Sequence, residues 1–512
     1  MTNCVTSDTQ LHELLRGADW PPEDVRRADR YAPIDEAPLG SGTTLCVVSV
    51  VGGPAHGRLL LVPARADGSG RLVDAQGSED FDLACVRLMT AGGRIRTARG
   101  GHVDFRGGAA ARAVSPLPFA QGRSSNSLSL LDIDGRPHLH KTYRSLGAEV
   151  REPELLRLMD GSAHTPRWFG DYGYVPPGGT ERLALGVVYT YTPGSGIDAP
   201  LRANLRALWP GLTDGPTGVR ESAPSDGADG PTNLDALVRK HLAPLAAPLR
   251  AARSFLGGFH EELRVRLGRG TPPPDYPVER ALRAAEERCR ALAERAGREA
   301  GLPAAALDSA FDSLAREIAL LRKEFDASGA HPSGPCHGDL HLSHLLGDPP
   351  GLIDISTPGT GPDSPGWAEQ SPLQDLVALG RALEYFAADE AAYESARLLG
   401  VDATETMLAS LDGGAGLPPR ERSVLLLVFG AADAWRRHVA GLLLAPPGPD
   451  GDRAGPGAPD EPLRRLLYLR RLLHELDHNF AHARPYHAAI DLRHAMALGL
   501  PSPLARTLTT RT

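Results

Sequence analysis

The chain changes its periodicity near residue 200, and that change constrains its fold more than any other feature. Between residues 43 and 105 it runs in short apolar or alternating stretches, TTLCVVSVVGG, GRLLLVPARADGSGRLVDAQ, FDLACVRLMT and GRIRTARGGHVDF, parted by glycine-rich turns. Such runs predict antiparallel β-structure, FDLACVRLMT included. SNSLSLLDID, a turn at Gly135 and PHLHKTYR then predict a hairpin with Lys141 on its second strand. REPELLRLMDG reads as a helix carrying Glu154 in its first turns, and LALGVVYTYTPG as a buried strand. Beyond Pro200 the pattern becomes helical, with amphipathic repeats at 234–267, 278–300, 304–325, 372–388, 419–444 and 463–483. Strands first and helices afterwards argue an α+β class. Two segments rich in Gly, Pro, Ser and Asp, 210–233 and 445–462, predict mobile surface insertions.

Charge and composition remove several functions. The net charge is −8 with both signs interspersed, so no basic face is available for a phosphate backbone and nucleic acid is not an expected partner. The first twenty residues lack a basic head and an apolar core, and the longest apolar run, 423–432, is far short of a membrane span. A cytoplasmic monomer that binds a small molecule is expected. Five cysteines without a CxxC pair predict reduced thiols rather than a disulfide framework or zinc knuckle. Of the 55 basic residues only Lys141, Lys240 and Lys323 are lysine. A lysine that survives such a bias toward arginine is a candidate for work a planar guanidinium cannot do. Lys240 and Lys323 sit in charged helical sequence, whereas Lys141 sits in a strand.

The densest chemistry is CHGDLHLSHLLGDPPGLIDIS, residues 336–356. His337, His341 and His344 could ligate a metal, but the HExxH arrangement of a hydrolytic zinc site is absent. Asp339 and Asp354 fit phosphoryl transfer better, since that chemistry uses one carboxylate near the acceptor hydroxyl and another holding Mg²⁺ against nucleotide phosphates. HLLGDPPGLID supplies the strand, turn and strand between them.

These residues, with SPLQDLVALGRALEYFA after them, resemble the catalytic core of the aminoglycoside-phosphotransferase-like kinases, and most closely the maltokinase and glucosamine-kinase branch. GRSSNSLSLLDIDGRPHLHKTYRSL resembles the phosphate loop and lysine strand, and LLYLRRLLHELDHNFAHARP the branch's late helix. The resemblance implies a protein-kinase-like bilobal fold: a β-rich cap over 1–115, a small β-rich lobe over 116–195 and a large helical lobe over 196–512. It implies ATP as phosphoryl donor, with Ser125, Asn126 and Ser127 in the phosphate loop, Lys141 on the phosphates, Glu154 paired to Lys141, and Tyr189 and Tyr191 beside the adenine. It implies Asp339 as the catalytic base, Asp354 as the metal ligand, and Glu384, Asp433, Trp435 and Glu475 on the acceptor. His337 and Asp375 would brace the catalytic loop. The chain departs from the family in three places. His344 stands where an amide oxygen completes the metal shell, which shifts the expected ion from Mg²⁺ toward Mn²⁺. Ile355-Ser356 replaces the Phe-Gly or Phe-Glu that follows the metal-binding Asp, and Asn479 replaces the second of two glutamates on the late helix. Three readings stay open: a sugar or aminosugar kinase, a catalytically impaired nucleotide- or sugar-binding regulator, and an aminoglycoside-modifying phosphotransferase.

Overall fold

The structure is a computed structural model that describes residues 7–108, 110–121, 126–147, 149–213, 230–268, 272–297, 301–326, 329–356, 366–445 and 460–498. The chain forms two compact units, Met1–Pro193 with Asp354–Pro358, and Gly194–Ile353 with Gly359–Thr512.

In the first unit, the helix Asp8–Gly17 starts at Ser7, whose hydroxyl and Gln10 form a reciprocal capping box. The strands Arg30–Gly40, Thr43–Val51 and Leu59–Ala66 pair antiparallel in order, and Ser145–Leu146 closes the far edge. A seven-stranded antiparallel sheet follows, in the order Arg94–Arg96, His102–Gly107, Trp168–Val175, Leu183–Thr190, Arg136–Thr142, Ser127–Ile133 and Val114–Leu117. The boundary expected near residue 115 falls inside this sheet. Val103 and Phe105 share one core with Tyr172, Leu185 and Val188, so strands from both sides of that position bury one another.

FDLACVRLMT is not a strand. It lies in the helix Glu79–Ala91, which stops at Gly92 with φ of 61°. Phe81, Cys85, Val86 and Met89 are its buried face, a spacing of four, one and three that suits a helix and breaks strand alternation. The hairpin is as expected: Ser127–Ile133 and Arg136–Thr142 join through Asp134 and Gly135, with φ of 52° and 79°. Positive φ at both central residues is the two-residue turn whose twist matches that of the flanking strands.

The second unit is helical apart from the short hairpin Leu345–Gly347 and Pro350–Leu352. The single helix expected over 234–267 is broken into Gly230–Leu242, a 3₁₀ turn Ala243–Leu245 and Ala246–Gly268. Pro244 lacks the N–H that a continuous ladder needs. The helix Pro372–Leu399 runs eleven residues beyond its expected end and terminates at Gly400 in the left-handed region. Pro485–Met496 is a further helix that the pattern did not announce. The expected insertions shrink at their edges, because residues 210–213 complete the helix Asp198–Thr213 and residues 230–233 open Gly230–Leu242. Their centres, 214–229 and 446–459, lie outside the described residues. Among the described residues no helix is long and apolar enough to cross a membrane; Cys46 is buried, and Cys85, Cys289 and Cys336 are buried free thiols.

Candidate active site

Each unit holds its own cluster of chemistry. In the first, Lys141 stands on the strand Arg136–Thr142, whose last five residues are all buried, and is itself 5% exposed. Its ammonium donates to Glu152 Oε2 at 2.6 Å and to Asp354 Oδ1. Tyr143 Oη donates to the same Glu152 oxygen at 2.7 Å. Burial works against the Lys141 charge, but Glu152, and after it Asp354, hold its pKa above the ordinary lysine value. Burial likewise pushes the Glu152 carboxyl up against the downward pull of Lys141.

The expected partner, Glu154, is therefore replaced by Glu152. The helix Glu152–Leu158 buries Glu152, and Glu154, two residues on, falls about 200° around the helix and pairs at its surface with Arg151 at 3.2 Å. Asp354 has φ of 64°, a conformation that costs a non-glycine residue energy, and its side chain is 46% exposed. Gln121 donates to Asn126 O at 2.8 Å and accepts from Leu128 N at 3.0 Å, at the start of the lysine hairpin. Ser127 opens its strand opposite Thr142, and Ser125 lies outside the described residues. Tyr189 is buried on the strand Leu183–Thr190, and Tyr191 N donates to Pro137 O at 2.9 Å.

In the second unit Asp375, buried in the first turn of Pro372–Leu399, accepts from His337 N at 2.6 Å and Gly338 N at 3.1 Å. His260 Nε2 reaches the same carboxylate at 2.8 Å. Gly338 has φ of 92°, and only glycine adopts that conformation without strain. His337 Nε2 bonds Ile353 O at 2.9 Å, so both residues brace the loop from opposite sides. A third brace is the close approach of Gly196, where a Cβ would stand 2.5 Å from Ser343 Cα. The loop presents Asp339 with its side chain 56% exposed. His341 Nε2 lies 3.1 Å from Asp339 Oδ1, and this bond foremost holds the Asp339 carboxyl below its ordinary range. Asp339 is thus ionised at neutral pH and has lone pairs to accept a proton or orient a hydroxyl. His344 Nδ1 lies 2.9 Å from Asp339 O, which fixes its ring beside that of His341.

A cavity of about 440 Å³ in this unit is lined by His341, Tyr385, Asp389, Arg471, Glu475 and His487, among others. Of the four acceptor residues that the resemblance implied, Glu475 lines it. Trp435 does not, being fully buried, stacked on Phe386 and donating Nε1–H to Asn204 Oδ1 at 2.9 Å. Glu384 faces the helix packing, where Arg381, Tyr468 and Arg436 occupy its oxygens. Asp433 is paired to Arg493.

Behind the cavity Arg381, 1% exposed, meets Glu384, Glu475 and Asp491. Sequence reasoning passed over Arg381 and Asp491, although a lone arginine inside the otherwise apolar run from Val377 to Leu383 marks a buried polar network. Burial pushes the Asp491 carboxyl up to about 7, against Arg381 and its bonds from Tyr385 and Asn479, with Glu475 raising it further. An unfolded aspartate titrates near ~3.9, so between about 4 and about 7 the native state keeps a proton that the unfolded state has released. This group's contribution to stability therefore falls as pH rises through that window. Urea melts of Asp491→Asn and wild type should diverge in the variant's favour by up to ~1.4 kcal/mol per pH unit there and run parallel above it. Parallel curves from pH 4 to 7 would contradict this account.

No family model and no curated protein matches the chain. Solved structures do. A glucosamine kinase in its second crystal form aligns with 94% of this chain and 97% of its own, with a TM-score of 0.50 and 18% identity. A glucosamine kinase in complex with glucosamine, ADP and inorganic phosphate aligns with 96% and 99%, with a TM-score of 0.48 and 17% identity. An aminoglycoside phosphotransferase in ternary complex with ADP and hygromycin B aligns with 77% and 96%, with a TM-score of 0.29 and 11% identity. The likeness to the second crystal form shows a shared architecture: the chain has the protein-kinase-like α+β fold found in glucosamine kinase.

Proposed function

We propose that the chain is an ATP-dependent phosphotransferase that moves the γ-phosphoryl group to a hydroxyl of a small sugar or aminosugar. The observation that carries this reading is the buried Lys141 ammonium held between Glu152 and the half-exposed Asp354. A lysine held charged by two carboxylates, one of them open to solvent, is what nucleotide phosphates and their accompanying cation require.

The donor set fits Mg²⁺. Among the described residues no three of His, Cys, Asp and Glu gather as a metal cage. Mg²⁺ needs none, since it binds through one or two carboxylates with water and phosphate oxygens. Asp354 would hold it; when bound, the ion neutralises charge on the transferring phosphate. Lys141 binds the α- and β-phosphates, Asn126 and Ser127 belong to the loop over them, and the backbone from Tyr189 to Tyr191 meets the adenine. The acceptor enters the cavity beside His341. Asp339 takes the hydroxyl proton as the acceptor oxygen bonds to the γ-phosphorus and the bond to ADP breaks. The likeness to glucosamine kinase makes an aminosugar the first acceptor to test.

The test is ATP consumption against glucosamine, maltose and kanamycin, with Mg²⁺ and Mn²⁺ compared. Turnover is expected with glucosamine or maltose. Turnover with kanamycin alone would favour a drug-modifying enzyme, and none with any acceptor in either metal would refute the kinase reading.

A further inference from the structure

We propose that Arg381 is a positioning residue for acceptor recognition, fixing the Glu475 carboxylate on the cavity wall without itself reaching the acceptor. This rests on the acceptor reading of the cavity beside His341. Each of the three guanidinium nitrogens of Arg381 serves a different carboxylate: Nε donates to Glu475 Oε2 at 2.8 Å, one terminal nitrogen to Glu384 and the other to Asp491. Its Cζ lies 5.3 Å from the Tyr385 ring centroid and 5.5 Å from that of Tyr468. The other Glu475 oxygen accepts from Arg471 Nε at 2.7 Å. Two arginines, one buried and one on the cavity wall, thus set the plane of a carboxylate whose side chain is 15% exposed. Tyr385 belongs to the same device. Its hydroxyl donates to Asp491 at 2.7 Å and accepts from Asn479 Nδ2 at 3.1 Å, so both its polar roles are used and its ring is what lines the cavity.

A guanidinium fork can hold three carboxylates at fixed angles, and an ammonium cannot. Arg381→Lys keeps the charge and loses the geometry. With glucosamine and maltose as acceptors, Arg381→Lys is expected to raise the acceptor KM by roughly 10-fold, the scale of one misplaced charged hydrogen bond, with a smaller effect on kcat and none on the KM for ATP. Glu475→Gln is expected to raise the acceptor KM as well. The double variant should bind acceptor no more weakly than Glu475→Gln alone, because the two residues act in series. A merely structural arginine would instead add its own penalty in the double variant. That additive result, or an unchanged acceptor KM in Arg381→Lys, overturns the proposal. Should Arg381→Lys fail to fold, Asp491→Asn loosens the same guanidinium from its other side and must show the same KM split and the same non-additivity with Glu475→Gln. If wild type consumes ATP with neither sugar, the sugar-acceptor reading fails and this proposal falls with it; if only the variants depart from expectation, the failure is confined to Arg381.

Discussion

Asp339→Asn is expected to lower kcat by roughly 10²-fold or more while leaving the affinity for ATP near wild type. The substitution is nearly isosteric, and the loop that carries the residue does not depend on its carboxylate. Asp375 holds the backbone N–H groups of His337 and Gly338, and His337 ties the loop to Ile353. What the variant loses is one acceptor oxygen with a depressed pKa, held ionised foremost by His341. An amide cannot take a proton, and its NH₂ group would confront the acceptor hydroxyl with a donor. Single-turnover measurements with a sugar acceptor, alongside titration of the variant with ADP, separate chemistry from nucleotide binding. Wild-type turnover in Asp339→Asn would remove the residue from the reaction.

That the geometry of this loop could be read from sequence has a physical basis. The His-Gly-Asp turn is local: Gly338 is required by a backbone angle, and Asp339 follows it directly, so spacing along the chain is spacing in the loop. The same holds for the hairpin carrying Lys141, whose turn residues set its register. Glu152 and Glu154 could not be separated that way, because both lie in the first turn of one short helix and only the helix's rotation decides which is buried. The acceptor side was the least legible. Glu384, Asp433 and Trp435 sit on helices whose packing is set by residues far away along the chain, as when Glu384 meets Tyr468, Asp433 meets Arg493 or Trp435 meets Asn204. The helix Glu79–Ala91 was missed for a simpler reason: its apolar residues are dense enough to satisfy a strand pattern in a region otherwise written in strands.

The exchange of Glu154 for Glu152 can be settled by a pair of substitutions. Glu152→Gln is expected to weaken ATP binding by at least about 10-fold, whereas Glu154→Gln should change it less than about twofold. Removing the charge of Glu152 leaves Lys141 buried with Asp354 as its remaining charged partner, and breaking a buried ion pair by deleting one member is far costlier than replacing both. The ammonium would then be drawn toward Asp354, the carboxylate that the metal also needs. Glu154 pairs with Arg151 at the surface, each side chain 38% exposed, where solvent screens the charge and the pair contributes little. Binding of a fluorescent ATP analogue, with thermal melts to confirm that both variants fold, gives the comparison directly. Lys141→Arg belongs in the same series and should raise the KM for ATP, because the guanidinium cannot fit the enclosed slot between Glu152 and Asp354. The reverse order, with Glu154→Gln crippling and Glu152→Gln neutral, would mean that the nucleotide-bound enzyme rotates this helix and pairs Lys141 with Glu154 after all.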